Sequence, residues 1–470
     1  MKRLNITEEG FTNFHFIGIG GISMSGLAEI LHNDGCNVTG SDRNDSEIIA
    51  ALRKKGIDIK IGHNAQNVSN NTQVIVYNAA VPKDNPEIVA AKERGLRMMY
   101  RTDLLGRLMQ NYERAICVAG THGKTTTTSM LAEIFMAAAC DPTVMNGSVL
   151  PSMGGAVRIG ARDFIIAEAC EYHDSFLKLH PTIGIILNME MDHSDYFKDI
   201  DALTNSFAGF VKKIPRDGLL VVNGDIPELG QLITGLDCDV LAFGKNGSIR
   251  PENISFGDSG YPTFDVVNSP PKRGGLQPEV VKLGQISLKV PGHHNIQNAM
   301  AAITCATHCG IPFGTIAAAL ARFTGAQRRF QHIGRYKEAT IVDDYAHHPT
   351  EVVATIAAAK NMPHNRLWVV FQPHTRARTA EFLDEFAQAL SQADEPIILD
   401  IYNPAGREEE QYNVHSKDLV ARASNPDCRH LPSFDAAIAH LAQHIAPGDL
   451  IITMGAGNVH QIAELLVNMH

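Results

Sequence analysis

The chain has 470 residues, of which 44% are hydrophobic and 20% charged, with a formal net charge of −10 at pH 7. The length allows about three domains at roughly 150 residues each, and the acidic balance excludes general nucleic-acid binding, which needs a basic surface. No apolar run reaches the length of a membrane span and the opening MKRLNITEEG lacks the apolar core of a signal peptide, so no membrane partner is expected and a cytoplasmic protein is.

The eight cysteines are scattered, and the one close pair, Cys305/Cys309, has no second pair or histidine set at zinc-site spacing. Free or buried thiols are the reading.

The first predicted strand-to-helix unit is FHFIGIGGISMSGLAEIL at 14–31, followed by a second strand, NVTGSD, at 37–42. A Gly-rich turn between strand and helix, with an acidic residue closing the second strand, is the dinucleotide-binding pattern, in which Asp42 meets a ribose. Ser23 takes the place of the third glycine. A nicotinamide cofactor and a turn without a ligand both fit.

A second unit begins near Arg107. The apolar run AICVA at 115–119 predicts a buried strand, GTHGKTT follows at 120–126, and helical sequence runs from Thr126 onward. The common phosphate loop, G-x-x-x-x-G-K-[ST], would put its first glycine at position 118, which is Val118; here it is Gly120. Strand, tight turn and helix start are still in order. Lys124 and the Thr125 hydroxyl thereby fall at the positive end of a helix, where a polyphosphate and Mg²⁺ are held.

Downstream, FIIAE at 164–168 predicts a strand that delivers Glu168 at its C-terminal end, the position of a Mg²⁺ ligand. The strand TIGIILN at 182–188 leads to MEMDHSDYF, which sets His193 between Asp192 and Asp195. Residues 257–280, rich in Pro and Gly, predict hairpins and loops. At 288–303, LKVPGHHNIQNAMAAI predicts a strand, a turn and a helix that presents Asn295 and Asn298. Side-chain amides read an adenine edge, and Asn295 equally suits a helix cap.

The last unit opens with QRRFQHIG at 327–334 and the strand TIVD at 340–343, then DYAHHP at 344–349. Strand LWVVFQ at 367–372 precedes His374 and Arg378, and LIITMGAGN at 450–458 leads into the final helix. The expected fold is α/β with three domains: a Rossmann-like domain at 1–106, a central phosphate-loop mononucleotide-binding domain at 107–325, and a Rossmann-like C-terminal domain at 326–470.

Taken together, the ordered series GIGG, GSD, GTHGKTTTT, AEACE, DHSDYF, PGHHNIQNA, RRFQ, DDYAHHPTE, FQPH and MGAGN resembles the Mur ligases of bacterial cell-wall synthesis, from about Phe14 to the C-terminus. The resemblance implies ATP-driven amide formation: phosphoryl transfer to the lactyl carboxylate of UDP-N-acetylmuramate, then attack on the acyl phosphate by the amine of L-alanine. It implies an ATP site of Gly120, Thr121, His122, Gly123, Lys124, Thr125 and Thr126 with Asn295, Asn298, Arg329 and Asp344, in which Lys124, Glu168, His193 and Arg329 are catalytic. Thr125 and Glu168 would hold one Mg²⁺ and His193 a second.

By the same resemblance the first domain binds UDP, not NAD, through Gly20, Gly21, Asp42 and His63, and Tyr345, His347, His374 and Arg378 receive the amino acid. The chain departs from relatives at Ser23, at Asn78, and in the TRAR that follows FQPH. Rival readings are a ligase that recycles an intact tripeptide onto the same sugar nucleotide, an NAD-dependent oxidoreductase, and a non-enzymatic nucleotide sensor. Monomer and homodimer both remain open.

Overall fold

The computed structural model describes residues 10–269, 280–404 and 411–469. These divide into two compact units: one holds the described residues through Arg250 and Met300–Ile316, the other Pro251–Ser269, 280–299 and Ala317 onward.

The first unit contains two sheets. One is all parallel, with β1 (Asn13–Ile17), β2 (Asn37–Asp42), β3 (Asp58–Ile61), β4 (Val74–Tyr77) and β5 (Arg97–Tyr100) in the order β3-β2-β1-β4-β5. The order reverses at β1, and at such a switch point the strand ends open a crevice for a ligand. The other belongs to a ten-stranded sheet and comprises its strands β6 (Arg114–Ala119), β7 (Thr143–Leu150), β8 (Gly155–Arg158), β9 (Phe164–Glu168), β10 (Ile183–Ile186), β11 (Leu219–Asn223) and β12 (Asp239–Phe243). Their order is β12-β11-β10-β6-β9-β7-β8, parallel except for β8. Strand β6 is buried from Ala115 to Ala119 because helices cover both faces of a parallel sheet, which is why it reads as a continuous apolar run.

β13 (Ile249–Phe256) carries the chain into the second unit, where β14 (Pro262–Asn268) pairs antiparallel with β15 (Val281–Ser287). The hairpin expected at 257–280 is therefore present in part, and positions 270–279 lie outside the described residues. The strand expected from Leu288 ends at Ser287 instead, with Leu288 N still donating to Pro262 O at 3.0 Å; Pro291 has no N–H with which to extend the ladder, and the helix His293–His308 follows.

The C-terminal sheet runs β16-β17-β21-β18-β19-β20, from β16 (Gln331–Tyr336), β17 (Ala339–Asp344), β18 (Leu367–Phe371), β19 (Glu395–Ile398), β20 (Arg429–His430) and β21 (Leu450–Met454). Only β16 is antiparallel. Along β18, Leu367, Val369 and Phe371 enter one apolar cluster and Trp368 and Val370 another, so each face of the sheet has its own core. The architecture is the expected three-sheet α/β fold.

Candidate active site

The phosphate loop joins β6 to the helix Lys124–Ala137. Two glycines make the turn possible. Gly123 caps the helix at φ 83°, in the left-handed region, and Gly120 at φ 142° lies so close to the chain after β10 that a Cβ would come 3.0 Å from Leu187 Cβ. Asn188 fastens the turn: its Oδ1 accepts from His122 N at 2.8 Å and its Nδ2 donates to His122 O at 3.1 Å. Thr121 Oγ1 adds a reciprocal pair with the Glu190 backbone, at 3.0 and 2.9 Å. Asn188 carries no motif and was not singled out from the sequence.

Lys124 Nζ donates to the carbonyls of Gly120 and Thr121 and to both carboxylate oxygens of Glu171, at 3.1 and 2.9 Å. Burial works against the ammonium, but Glu171, Cys170 and Glu168 outweigh it and hold the Lys124 pKa above its ordinary value. Glu171, 2% exposed, is a second carboxylate that sequence reading missed. Glu168 stands at the end of β9, in register with Val118 of β6, and accepts from Gly147 N. Arg101, at the start of the helix after β5, lies in the field of Glu168; burial lowers its pKa.

Thr125, 5% exposed, follows Lys124 in the first helical turn. Thr127 and Thr128 are fully buried with no hydrogen-bond partner for either hydroxyl, so the threonine run serves the loop only at its front. His193 has a left-handed backbone (φ 56°). Its ring stacks on Tyr172 at 4.3 Å, and Nε2 is 3.8 Å from both Glu171 and Asp192. Thus Lys124, Glu171 and His193 form one cluster.

In the N-terminal sheet, the residues expected to bind UDP gather at one strand edge. Gly20 N donates to Asp42 Oδ2 at 2.9 Å, and a Cβ on Gly20 would meet that oxygen at 2.9 Å. Gly21 caps the helix Ile22–Asn33, and His63 lies just beyond β3.

In the second unit, Asn298 Nδ2 donates to Asn295 Oδ1 at 3.1 Å and Asn295 Nδ2 to Pro291 O at 2.7 Å. Asn295 is inside the helix and donates, so it is not the cap. Asp344 closes β17, accepts from Phe330 N and Ala346 N, and is pushed up to about 6 by burial, with Arg329 pulling the other way. The Arg328 and Arg329 guanidinium groups lie 5.0 and 5.1 Å from the Tyr345 ring centre.

Arg328, also missed, donates to Asp343 at 2.9 Å and to the carbonyls of Gly457 and Gly455, tying β17 to the MGAGN turn. The Tyr345, His347 and His374 rings succeed one another at 5.2 and 6.1 Å. Arg378 lies in the next short helix, Arg376–Glu381, where its N–H donates to the Thr375 hydroxyl.

A glycine-lysine turn between a buried parallel strand and a helix, with carboxylates at a neighbouring strand end, is the arrangement of a nucleotide-dependent enzyme. The chain belongs to the Mur ligase family: residues 13–113 match its "Mur ligase family, catalytic domain", 118–306 its "Mur ligase middle domain" and 328–457 its "Mur ligase, glutamate ligase domain". It is 44% identical to the UDP-N-acetylmuramate–L-alanine ligase of Clostridium novyi, over 98% of this chain and 99% of that one. It is 43% identical to the enzyme of the same name from Agathobacter rectalis, over 97% of each.

Among solved structures, the UDP-N-acetylmuramate–alanine ligase of Thermotoga maritima superposes with a TM-score of 0.77 at 27% identity, covering 97% of this chain and 98% of that one. A murein peptide ligase of Psychrobacter arcticus gives 0.72 at 26%, with the same coverage. Among the described residues, no helix is long and apolar enough to cross a membrane.

Proposed function

We propose that the chain joins L-alanine to the lactyl carboxylate of UDP-N-acetylmuramate, converting ATP to ADP and phosphate, as a cytoplasmic step of peptidoglycan precursor synthesis. The observation that carries this reading is Lys124, held at a helix N-terminus between its own loop carbonyls and Glu171, with Glu168 at the neighbouring strand end. Such a site handles a polyphosphate and a carboxylate together, which neither hydride transfer nor mere nucleotide sensing requires. Relatives named for alanine at 43–44% identity over nearly the whole chain favour alanine over a tripeptide. The solved structures alone do not separate the two, at 27% and 26%.

A carboxylate is a poor acyl donor because its leaving group would be oxide. Its oxygen attacks the γ-phosphorus, the bond to the bridging oxygen breaks, and ADP leaves. The alanine amine then attacks the acyl carbon, the carbon–oxygen bond to phosphate breaks, and the amine proton is lost. Lys124 and the backbone N–H groups at the helix start, from Gly123 to Thr126, stabilise the phosphate charge in this scheme, while the Thr121 and His122 N–H groups are engaged by Asn188. Asn295 and Asn298 hold adenine, Arg329 and Asp344 complete the nucleotide contacts, and Tyr345, His347, His374 and Arg378 receive L-alanine. Gly20, Gly21, Asp42 and His63 hold UDP.

The donor set fits Mg²⁺. Thr125 and Glu168 offer hard oxygen ligands, and Glu171 and Asp192 surround the His193 imidazole with further oxygens. Bound there, the ion would neutralise phosphate charge. The test is interception: hydroxylamine in place of alanine should yield an ATP-dependent hydroxamate of UDP-N-acetylmuramate. Absence of hydroxamate, with no positional isotope exchange in ATP, would contradict the acyl phosphate.

A further inference from the structure

The N-terminal domain contains a buried carboxylate with no part in the chemistry above. Glu87 sits in the first turn of the helix Pro86–Glu93, where Asn85 caps its N–H at 2.9 Å, and it is 0% exposed. Five donors converge on it. Oε2 accepts from His15 Nε2 at 2.9 Å and Ser41 Oγ at 2.7 Å. Oε1 accepts from His63 Nδ1 at 3.1 Å, Asn64 N at 3.2 Å and Asn67 Nδ2 at 2.9 Å. Burial opposes the charge, but the hydrogen bonds from His15, Ser41 and Asn67 outweigh it and hold the carboxyl at about 2, so Glu87 remains an acceptor at neutral pH.

The two oxygens do different work. The Oε2 bonds tie the helix to β1 and β2, which suffices for a structural role. Oε1 is directed entirely at the loop after β3, which carries His63. Ser41 Oγ, also 3.2 Å from His63 Nδ1, already gives its proton to Glu87 Oε2, so Nδ1 faces two acceptors and must carry the hydrogen. In the neutral ring Nε2 is then a bare lone pair. The His63 side chain is 23% exposed, and no protein group among the described residues bonds Nε2.

We propose that Glu87 is a positioning residue for the uridine nucleotide: it fixes His63 in the Nδ1–H form, so that Nε2 accepts a hydrogen bond from the ligand. This rests on the reading that the N-terminal domain binds UDP. The ligand group must be a donor, either the uracil imide N–H or a ribose hydroxyl. Cytosine, which has a lone pair at that ring position, cannot supply the first.

The experiment measures UDP affinity by calorimetry on the full chain in a double-mutant cycle. His63→Ala should weaken UDP by about tenfold, the loss of one well-made hydrogen bond. Glu87→Gln should weaken UDP by a similar factor in the native background and by less than about twofold when His63 is already alanine. Either N3-methyl-UDP or 2′,3′-dideoxy-UDP should lose the His63-dependent affinity, which identifies the donor; retention with both analogues overturns the proposal. An equal effect of Glu87→Gln in both backgrounds, or none in either, overturns the positioning role. No effect of His63→Ala overturns the UDP assignment at His63 itself. Should Glu87→Gln fail to fold, ¹⁵N spectra of the unmutated chain decide: the Nδ1–H tautomer supports the proposal and the Nε2–H tautomer overturns it.

Discussion

Lys124 and Glu171 form an ion pair at 2.9 Å, with the lysine side chain 16% and the carboxylate 2% exposed. Removing one partner strands the other. Lys124→Ala should therefore cost about 3–5 kcal/mol of stability as well as at least a hundredfold in kcat. Lys124→Ala with Glu171→Ala should recover much of the stability and none of the activity. Urea unfolding alongside turnover separates the two effects, and a single Lys124→Ala variant keeping more than about a tenth of kcat contradicts the phosphate role.

Asn188 acts on the same loop from outside it. Its two hydrogen bonds to the His122 backbone set the turn that presents the N–H groups. Asn188→Ala should cost about 1–3 kcal/mol and raise the KM for ATP while leaving the KM for the sugar nucleotide in place. A rise in the sugar-nucleotide KM alone would show that the loop is not what Asn188 supports.

The adjacent arginines should part company. Arg328 holds fully buried Asp343, so Arg328→Ala should destabilise the chain by about 3–5 kcal/mol. Arg329→Ala, which leaves the Asp343 pair intact, should lower kcat and cost clearly less stability than Arg328→Ala, with little change in UDP affinity. Matching stability losses in the two variants would contradict the assignment.

Asp344 sets a pH dependence. Its pKa rises from 3.8 to about 6 on folding, so between these values the folded state binds more protons than the unfolded one and stability falls as pH rises. The unfavourable contribution is complete above about pH 6 and absent below about pH 4. Asp344→Asn should gain stability relative to the native chain as pH increases across that window, measured by urea unfolding at each pH. A flat difference curve contradicts it.

How much of this was legible in the sequence follows from what each residue needs. The three strand-to-helix starts were, because strands such as β6 and β18 are buried on both faces and read as unbroken apolar runs. The short-spaced glycine-lysine turn and the place of Glu168 at the end of β9 were, because a glycine pair, a lysine and a strand end are local features. Glu171 was not: it lies beyond the strand, in a segment whose left-handed His173 and Asp174 depend on tertiary packing. Arg328 and Asp343 were hidden inside doublets. In β17, successive residues face opposite sides, and only the assembled sheet decides which aspartate meets which partner. Glu87 reads as a helix-start acid, and nothing in NPE announces that five donors surround it.

The most direct measurement is phosphate release from ATP and UDP-N-acetylmuramate with L-alanine, glycine, L-serine or the intact tripeptide as acceptor, with the product weighed by mass spectrometry. L-alanine should give the highest kcat/KM, one phosphate per amide formed and a product heavier by one alanyl residue. Faster turnover of the tripeptide, or phosphate release without an amide product, would contradict the alanine ligase reading.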